Sequence, residues 1–77
     1  MTMETVNGTL VCAGSLSVDD AEALQQQLLA SPDAPLDLDA CTHVHSACLQ
    51  VLMAAPARIA AWPRDAALAG WLQSTLN

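Results

Sequence analysis

A short strand leads directly into an amphipathic helix between residues 36 and 53. Leu36, Leu38 and Ala40 repeat at every second position, which is the period of a strand, whereas the apolar residues from 49 to 53 have helical spacing. Ser46 lies at the elbow between the two elements. Such an elbow displays a side chain and several unpaired backbone N–H groups at the positive end of a helix. The junction therefore favours an α/β fold, and it is where we first expect recognition.

The chain before this junction begins with a predicted β-hairpin. Asn7 and Gly8 separate two β-prone runs, and a type I′ turn needs positive φ at both of its central positions. Gly14 and Ser15 are predicted to end the second strand of the hairpin.

Three helices are predicted after the hairpin. Ser17 is predicted to cap the first, which runs to about Ala30. The second begins at the elbow and is stopped by Pro56, and Pro63 fits the first turn of the third. A short strand is predicted at residues 57–61, between the second and third helices. The predicted buried faces consist of Val18, Ala21, Leu24 and Leu28 in the first helix, Leu49, Leu52 and Met53 in the second, and Leu68, Trp71, Leu72 and Leu76 in the third.

The predicted order of elements is ββαβαβα, in a single domain that spans residues 1–77. Strand-helix-strand crossovers of this length imply parallel neighbouring strands with right-handed connections. The prediction is therefore a two-layer α/β fold, in which a small mixed sheet of four strands is covered by three helices. The hairpin supplies an antiparallel edge, which is a candidate pairing site for a homodimer.

The charge and cysteine content narrow the classes of partner and the cellular location. The formal net charge is −6 and the chain has only two Arg and Lys residues, so a nucleic-acid partner is not expected. No run approaches the roughly 20 apolar residues of a membrane span, and the start lacks the features of a signal peptide. We therefore expect a cytoplasmic protein without membrane insertion, whose three cysteines are reduced thiols.

Two segments carry a resemblance to a known family. They are Leu36-Asp-Leu-Asp39 and the run from Val44 to Leu52, which contains the elbow. Together with the order of elements, they resemble the STAS domain family, the fold of anti-sigma factor antagonists. In that family a strand of the form apolar-Asp-Leu-Ser or Asp precedes an elbow of the form apolar-Asp-Ser-Ser/Ala-Gly-Leu. The resemblance covers nearly the whole chain, which would be a minimal member.

Some positions of the elbow match the family pattern, and others depart from it. Ser46 falls on the family's phosphorylatable hydroxyl, and Ala47 and Leu49 also match. His45 stands where the family has Asp, and Cys48 stands where it has Gly. The first departure removes a carboxylate from the elbow, and the second adds a side chain where a partner would approach.

The resemblance implies a non-enzymatic switch that needs no cofactor. The unmodified domain would bind a protein partner, such as an anti-sigma factor or related serine kinase, and phosphorylation of Ser46 would abolish the binding. A related alternative is an accessory subunit of a lipid-transport ATPase or of a chemotaxis-type complex that docks without phosphorylation. In either case the expected partner-binding residues are His43, His45, Ser46, Ala47, Leu49 and Gln50.

Two other classes of function use the same stretch of sequence. Cys41, His43, His45 and Cys48 could supply nitrogen and sulfur ligands to zinc or copper if the strand projects the first three to one side. Their spacing matches no common zinc motif. An enzyme would use Ser46 or Cys48 as nucleophile, a neighbouring histidine as base and Asp37 or Asp39 to orient it. No glycine-rich oxyanion or phosphate loop accompanies these residues, so a binding module is preferred to an enzyme.

Overall fold

The computed structural model describes residues 2–54 and 58–76. Strands and helices alternate through most of this part of the chain, and a short 3-10 turn precedes the first helix. The elements are β1 (Thr2–Val6), β2 (Thr9–Leu16), the 3-10 turn (Val18–Asp20), α1 (Ala21–Ala30), β3 (Leu36–Asp37), β4 (Cys41–Val44), α2 (Ser46–Ala54), β5 (Ile59–Ala61) and α3 (Ala66–Leu76).

The strands form one mixed sheet with the order β1-β2-β3-β5. β1 is antiparallel to β2, and β5 is parallel to β3. β3 and β4 both pair in parallel with β2, one after the other along its length. The expectation of an α/β fold with a mixed sheet and three helices is confirmed, but the third predicted strand is divided into two.

The hairpin is confirmed at the predicted turn. Asn7 and Gly8 have φ angles of 52° and 81°, as a turn with two positive central φ angles requires. The register is regular from Thr2 opposite Ala13 to Val6 opposite Thr9. Local turn chemistry alone is sufficient to set this part of the fold.

The predicted break at residues 14 and 15 is wrong, because β2 continues through both to Leu16. Gly14 has a φ of 81° and the register beside it is irregular. Gly14 pairs with Cys41 and Ser15 pairs with His43, so that Thr42 is an additional residue in β4. Glycine adopts a positive φ without steric cost. β2 therefore continues through Gly14, and the additional residue of the irregular pairing lies on β4.

The core lies on one face of the sheet. In β2, Leu10, Cys12 and Leu16 are buried, whereas the side chains at the alternate positions are half-buried or exposed. The helices contribute Leu24, Leu28, Cys48, Leu49, Leu52 and Leu72 to the same cluster. The strands after β2 contribute Leu36, Cys41 and Val44, and the bend between β3 and β4 contributes Leu38. A sheet buried on one face and covered by helices is the expected arrangement for a chain of this size.

Three apolar side chains that were predicted to be buried are exposed, which corrects the sequence analysis. Val18 is 56% exposed, Met53 53% and Trp71 43%. Val18 lies in the 3-10 turn, before the regular helical phase begins. In α2 the buried positions are Cys48, Leu49 and Leu52, so the apolar stripe is rotated away from Met53. Trp71 likewise lies beside the stripe centred on Leu72, which is fully buried.

The third helix begins later than predicted. Pro63 is buried but precedes the helix, which starts at Ala66. The carboxylate of Asp65 accepts a hydrogen bond from the backbone N–H of Leu68 at 3.0 Å, which is the contact of an N-cap. The strand predicted before this helix is confirmed over Ile59–Ala61. Pro56, the predicted end of α2, and residue 57 lie outside the described residues.

No helix in the described part of the chain is sufficiently long and apolar to cross a membrane.

Candidate functional site

The elbow between β4 and α2 is fixed by two hydrogen bonds of one residue. The backbone N–H of His45 donates to the carbonyl of Leu16 at 2.8 Å, next to the last paired residues of β2 and β4. The carbonyl of His45 accepts from the backbone N–H of Leu49 at 3.0 Å, which is the first bond of the helix. His45 is therefore both the last residue bound to the sheet and the N-cap of α2.

The side chain of His45 also caps the helix. Its Nδ1 accepts a hydrogen bond from the backbone N–H of Ala47 at 3.0 Å. Ser46 is not the N-cap, because it is the first residue of the helix itself. A histidine ring nitrogen thus serves as the acceptor that a Ser, Thr, Asp or Asn oxygen usually provides at an N-cap.

Ser46 is exposed at the start of α2. Within residues 2–54 and 58–76 its hydroxyl has no hydrogen-bond partner, because the capping role belongs to His45. Gln50 and Met53 are also exposed, and their spacing of four and seven residues from Ser46 places all three on one side of the helix. We call this set, Ser46, Gln50 and Met53, the α2 face.

The other predicted contact residues have different surroundings. His43 is exposed in β4, while His45 and Ala47 are half-buried at the elbow. Leu49 is 9% exposed and belongs to the core, so it has little surface to offer a partner. Met53, which was predicted to be buried, is 53% exposed and is the large apolar side chain that α2 presents to solvent. Leu49 is buried, as its place in the apolar stripe predicts, and so it is not the exposed contact residue that the resemblance implies. Helical spacing alone does not show which side of a helix meets the sheet.

The 3-10 turn packs beside the first turn of α2. The thiol of Cys48 donates to the carbonyl of Ser17 at 3.2 Å. The Ser17 hydroxyl and backbone N–H both donate to Asp20 Oδ2, at 2.9 and 2.8 Å. These bonds lower the pKa of the Asp20 carboxyl, the backbone bond from Ser17 being the larger cause. The turn places the exposed Val18 near the elbow, and its apolar character in the sequence gave no sign of this exposure.

The four candidate metal ligands are not brought together in the described part of the chain. Cys41 is buried and His43 is exposed, because the additional residue Thr42 disrupts the alternation of β4. Cys48 donates to Ser17, and His45 Nδ1 is occupied by the helix cap. Across the described ranges, no three His, Cys, Asp or Glu side chains are arranged to hold a metal ion.

The cysteines are buried thiols, unsuited to act as nucleophiles. Burial raises the pKa of Cys12 to about 12, and burial is also the largest cause that raises the pKa of Cys41 and of Cys48. Only the thiolate is an effective nucleophile. The Cys48 version of the enzyme alternative therefore has no support in the geometry of the site.

Asp37 and Asp39, the orienting residues of the enzyme alternative, are engaged away from the histidines. Asp37 Oδ1 accepts from the backbone N–H of Asp39 at 2.9 Å. Arg64 forms an ion pair with Asp39, with 2.8 Å between Nη2 and Oδ2. The hydrogen bond from Arg64 is the main cause that lowers the pKa of Asp39. These carboxylates connect the β3–β4 bend to the segment before α3.

Comparisons of the chain with protein-family models, curated proteins and solved structures gave no match. The resemblance described above therefore rests on the order of elements and on the residues of the elbow.

Proposed function

We propose that this chain is a non-enzymatic protein-interaction module of the STAS type, which binds a protein partner through the α2 face and is switched by phosphorylation of Ser46. The observation that carries the proposal is the position of that hydroxyl. Ser46 is exposed at the first residue of α2, and the cap is supplied by His45. The hydroxyl is therefore accessible to a kinase, and its modification does not require the loss of an existing contact.

The fold supports the same proposal. A hairpin, two strand-helix crossovers and a final helix give the element order expected from the resemblance. The elbow lies at the carboxyl end of β4, beside the carboxyl end of β2. In open α/β sheets this edge is where binding residues usually gather. The proposed contact surface thus lies at an edge of the sheet where side chains are exposed to solvent instead of buried.

The composition of the α2 face fits a protein partner. Met53 is 53% exposed, and its unbranched side chain adapts readily to a second surface. Gln50 offers a hydrogen-bond donor and an acceptor in the middle of the face. Ser46 lies at the end of the same face, so its modification changes an area that a partner would cover.

A phosphate on Ser46 would act through charge and hydration. It would add about −1.5 to −2 charges at pH 7, next to a turn that already carries Asp19 and Asp20. The positive end of α2 tolerates this charge within the chain, so the fold would be retained. A partner that approaches the α2 face would have to desolvate the phosphate, and binding would be lost.

The test is affinity capture from a lysate of the native host, with bound proteins identified by mass spectrometry. The baits are wild type, Ser46→Ala, Ser46→Asp and Ser31→Asp. The variant Ser31→Asp adds the same charge at an exposed serine that follows the last residue of α1. We expect one partner to be retained by wild type, Ser46→Ala and Ser31→Asp and to be lost with Ser46→Asp.

Equal capture by all four baits would show that the contact surface lies elsewhere. A partner of the anti-sigma factor or kinase class would support the switch. A transporter or chemotaxis subunit that binds equally well after enzymatic phosphorylation of Ser46 would instead support the docking alternative.

A further inference from the structure

The side-chain cap of α2 depends on the protonation state of an imidazole. His45 Nδ1 accepts from the Ala47 backbone N–H at 3.0 Å, and this requires a free lone pair on Nδ1. The neutral ring must therefore carry its proton on Nε2. Among the side chains of proteins, histidine is the one whose ordinary titration falls between pH 5 and 8.

We propose that His45 makes the Ser46 elbow responsive to pH: the neutral imidazole caps α2, and protonation on Nδ1 opens the first helical turn. The proposal deepens the function proposed above, because it concerns regulation of the same face, and its biological meaning rests on that function. Protonation transfers one proton from solvent to Nδ1 and forms an N–H bond there. The capping hydrogen bond from Ala47 is lost in the same step.

Two physical effects make the protonated state incompatible with the cap. An N–H on Nδ1 would point at the N–H of Ala47, so that a donor faces a donor. The imidazolium would also place a positive charge at the N-terminus of α2, where the helix dipole is already positive. Both effects act on the residues that hold Ser46 in the helix.

The elements around the elbow carry other charged and titratable groups, which are Asp19 and Asp20 on the 3-10 turn, Glu22 on α1, His43 on β4 and Cys48 on α2. Apart from His43, none is of a type whose ordinary titration lies between pH 5 and 8. Hydrogen bonds from Ser17 lower the pKa of Asp20, and burial raises the pKa of Cys48. Asp20 therefore stays ionised and Cys48 stays protonated between pH 5 and 8. His43 is exposed and serves as an internal comparison.

The resembling family has a carboxylate at position 45, which provides the matched control. An Asp N-cap accepts the same hydrogen bond but remains ionised through pH 5 to 8. The variant His45→Asp therefore keeps the cap and removes its titration. His45→Ala removes the cap at every pH, and His43→Ala removes the other histidine without touching the elbow.

The experiment is amide hydrogen exchange followed by NMR from pH 8 to pH 5 on the isolated chain, with rates corrected for the intrinsic effect of pH. In wild type and His43→Ala we expect protection of the Ala47 and Leu49 amides to fall about fivefold between pH 8 and pH 5. His45→Asp should show constant protection, and His45→Ala should show constant low protection. Protection that stays constant in wild type, or that falls equally in His45→Asp, would overturn the proposal.

No partner takes part in this experiment, so its result is independent of the capture experiment. If the phosphoswitch fails and the elbow still opens in acid, the pH response stands without the proposed function. If protection of the elbow amides stays constant in acid and the capture experiment gives the expected partner, the proposed interaction module is retained without this form of regulation.

Discussion

Arg64 is joined to Asp39 by both its side chain and its backbone. Arg64 Nη2 lies 2.8 Å from Asp39 Oδ2, and the backbone N–H of Arg64 donates to the Asp39 carbonyl at 3.2 Å. Asp39 belongs to the bend between β3 and β4, and Arg64 to the segment that leads into α3. The two contacts fix the position of α3 relative to the bend that precedes β4 and the elbow.

The ion pair predicts a pH-dependent contribution to stability. Arg64 lowers the folded-state pKa of Asp39 below the ordinary value of 3.8. The contribution is therefore complete above about pH 4 to 5 and is lost as the pH falls through the folded-state pKa. Because the pair is exposed to solvent, we expect Arg64→Ala to lower the melting temperature only slightly at pH 7. The difference from wild type should shrink as the pH falls below 3.8 and through the lowered folded-state pKa of Asp39, and Arg58→Ala is the control. A difference that grows in acid would contradict this assignment.

Replacement of two glycines by alanine should change the stability of the fold in opposite directions. Gly14 has a φ of 81°, so Gly14→Ala should destabilise the fold by about 1 to 2 kcal/mol. Gly70 lies inside α3, and a Cβ added there would meet nothing within 4 Å. Gly70→Ala should therefore stabilise the protein by about 0.5 to 1 kcal/mol. Urea denaturation measures both values, and a destabilising Gly70→Ala would reveal a close contact at this position.

Leu72 should be the main anchor of α3. It is fully buried, whereas the adjacent Trp71 is 43% exposed. We expect Leu72→Ala to reduce the free energy of unfolding by about 2 to 5 kcal/mol, from lost burial and the remaining cavity. Trp71→Ala should cost about 1 kcal/mol or less, although tryptophan is the larger residue. The reverse order in chemical denaturation would mean that α3 packs through its other side.

The thiols should be unreactive in the folded protein. Cys12 has a pKa of about 12, so its thiolate population at pH 8 is about a thousandfold lower than that of an ordinary thiol. An aromatic disulfide reagent should modify all three cysteines slowly in buffer and rapidly in urea. Cys48→Ser identifies the contribution of the cysteine nearest the elbow. Rapid modification of one thiol in buffer would show that its surroundings open readily.

The sequence predicted those parts of the fold that depend on local chemistry. Asn7 and Gly8 define the hairpin because few other residues tolerate their backbone angles. The change of hydrophobic period at Ser46 located the elbow within one residue of its observed position. The division into β3 and β4 was not predictable in the same way, because it depends on pairing with the bend at Gly14.

The elbow was located correctly, but its chemistry was not. His45 was read as a contact residue or a metal ligand, since histidine is not among the usual capping residues. Its capping role follows from the distance between Nδ1 and the Ala47 backbone N–H, which no sequence pattern contains. Met53 is exposed instead of buried for a similar reason, because the rotation of α2 on the sheet is fixed by tertiary packing.

The α2 face yields a prediction that separates binding from stability. Met53 is exposed, so Met53→Asp should change the free energy of unfolding by no more than about 0.5 kcal/mol. If the partner covers this face, the same variant should weaken its binding at least tenfold, since an apolar contact is replaced by a desolvated charge. Leu29→Asp is the matched control, because Leu29 is 67% exposed on α1 and outside the proposed surface. Calorimetric titration with the partner captured by the wild-type chain measures the affinities. Equal losses of affinity in both variants would indicate a general effect of the added charge instead of a contact at α2.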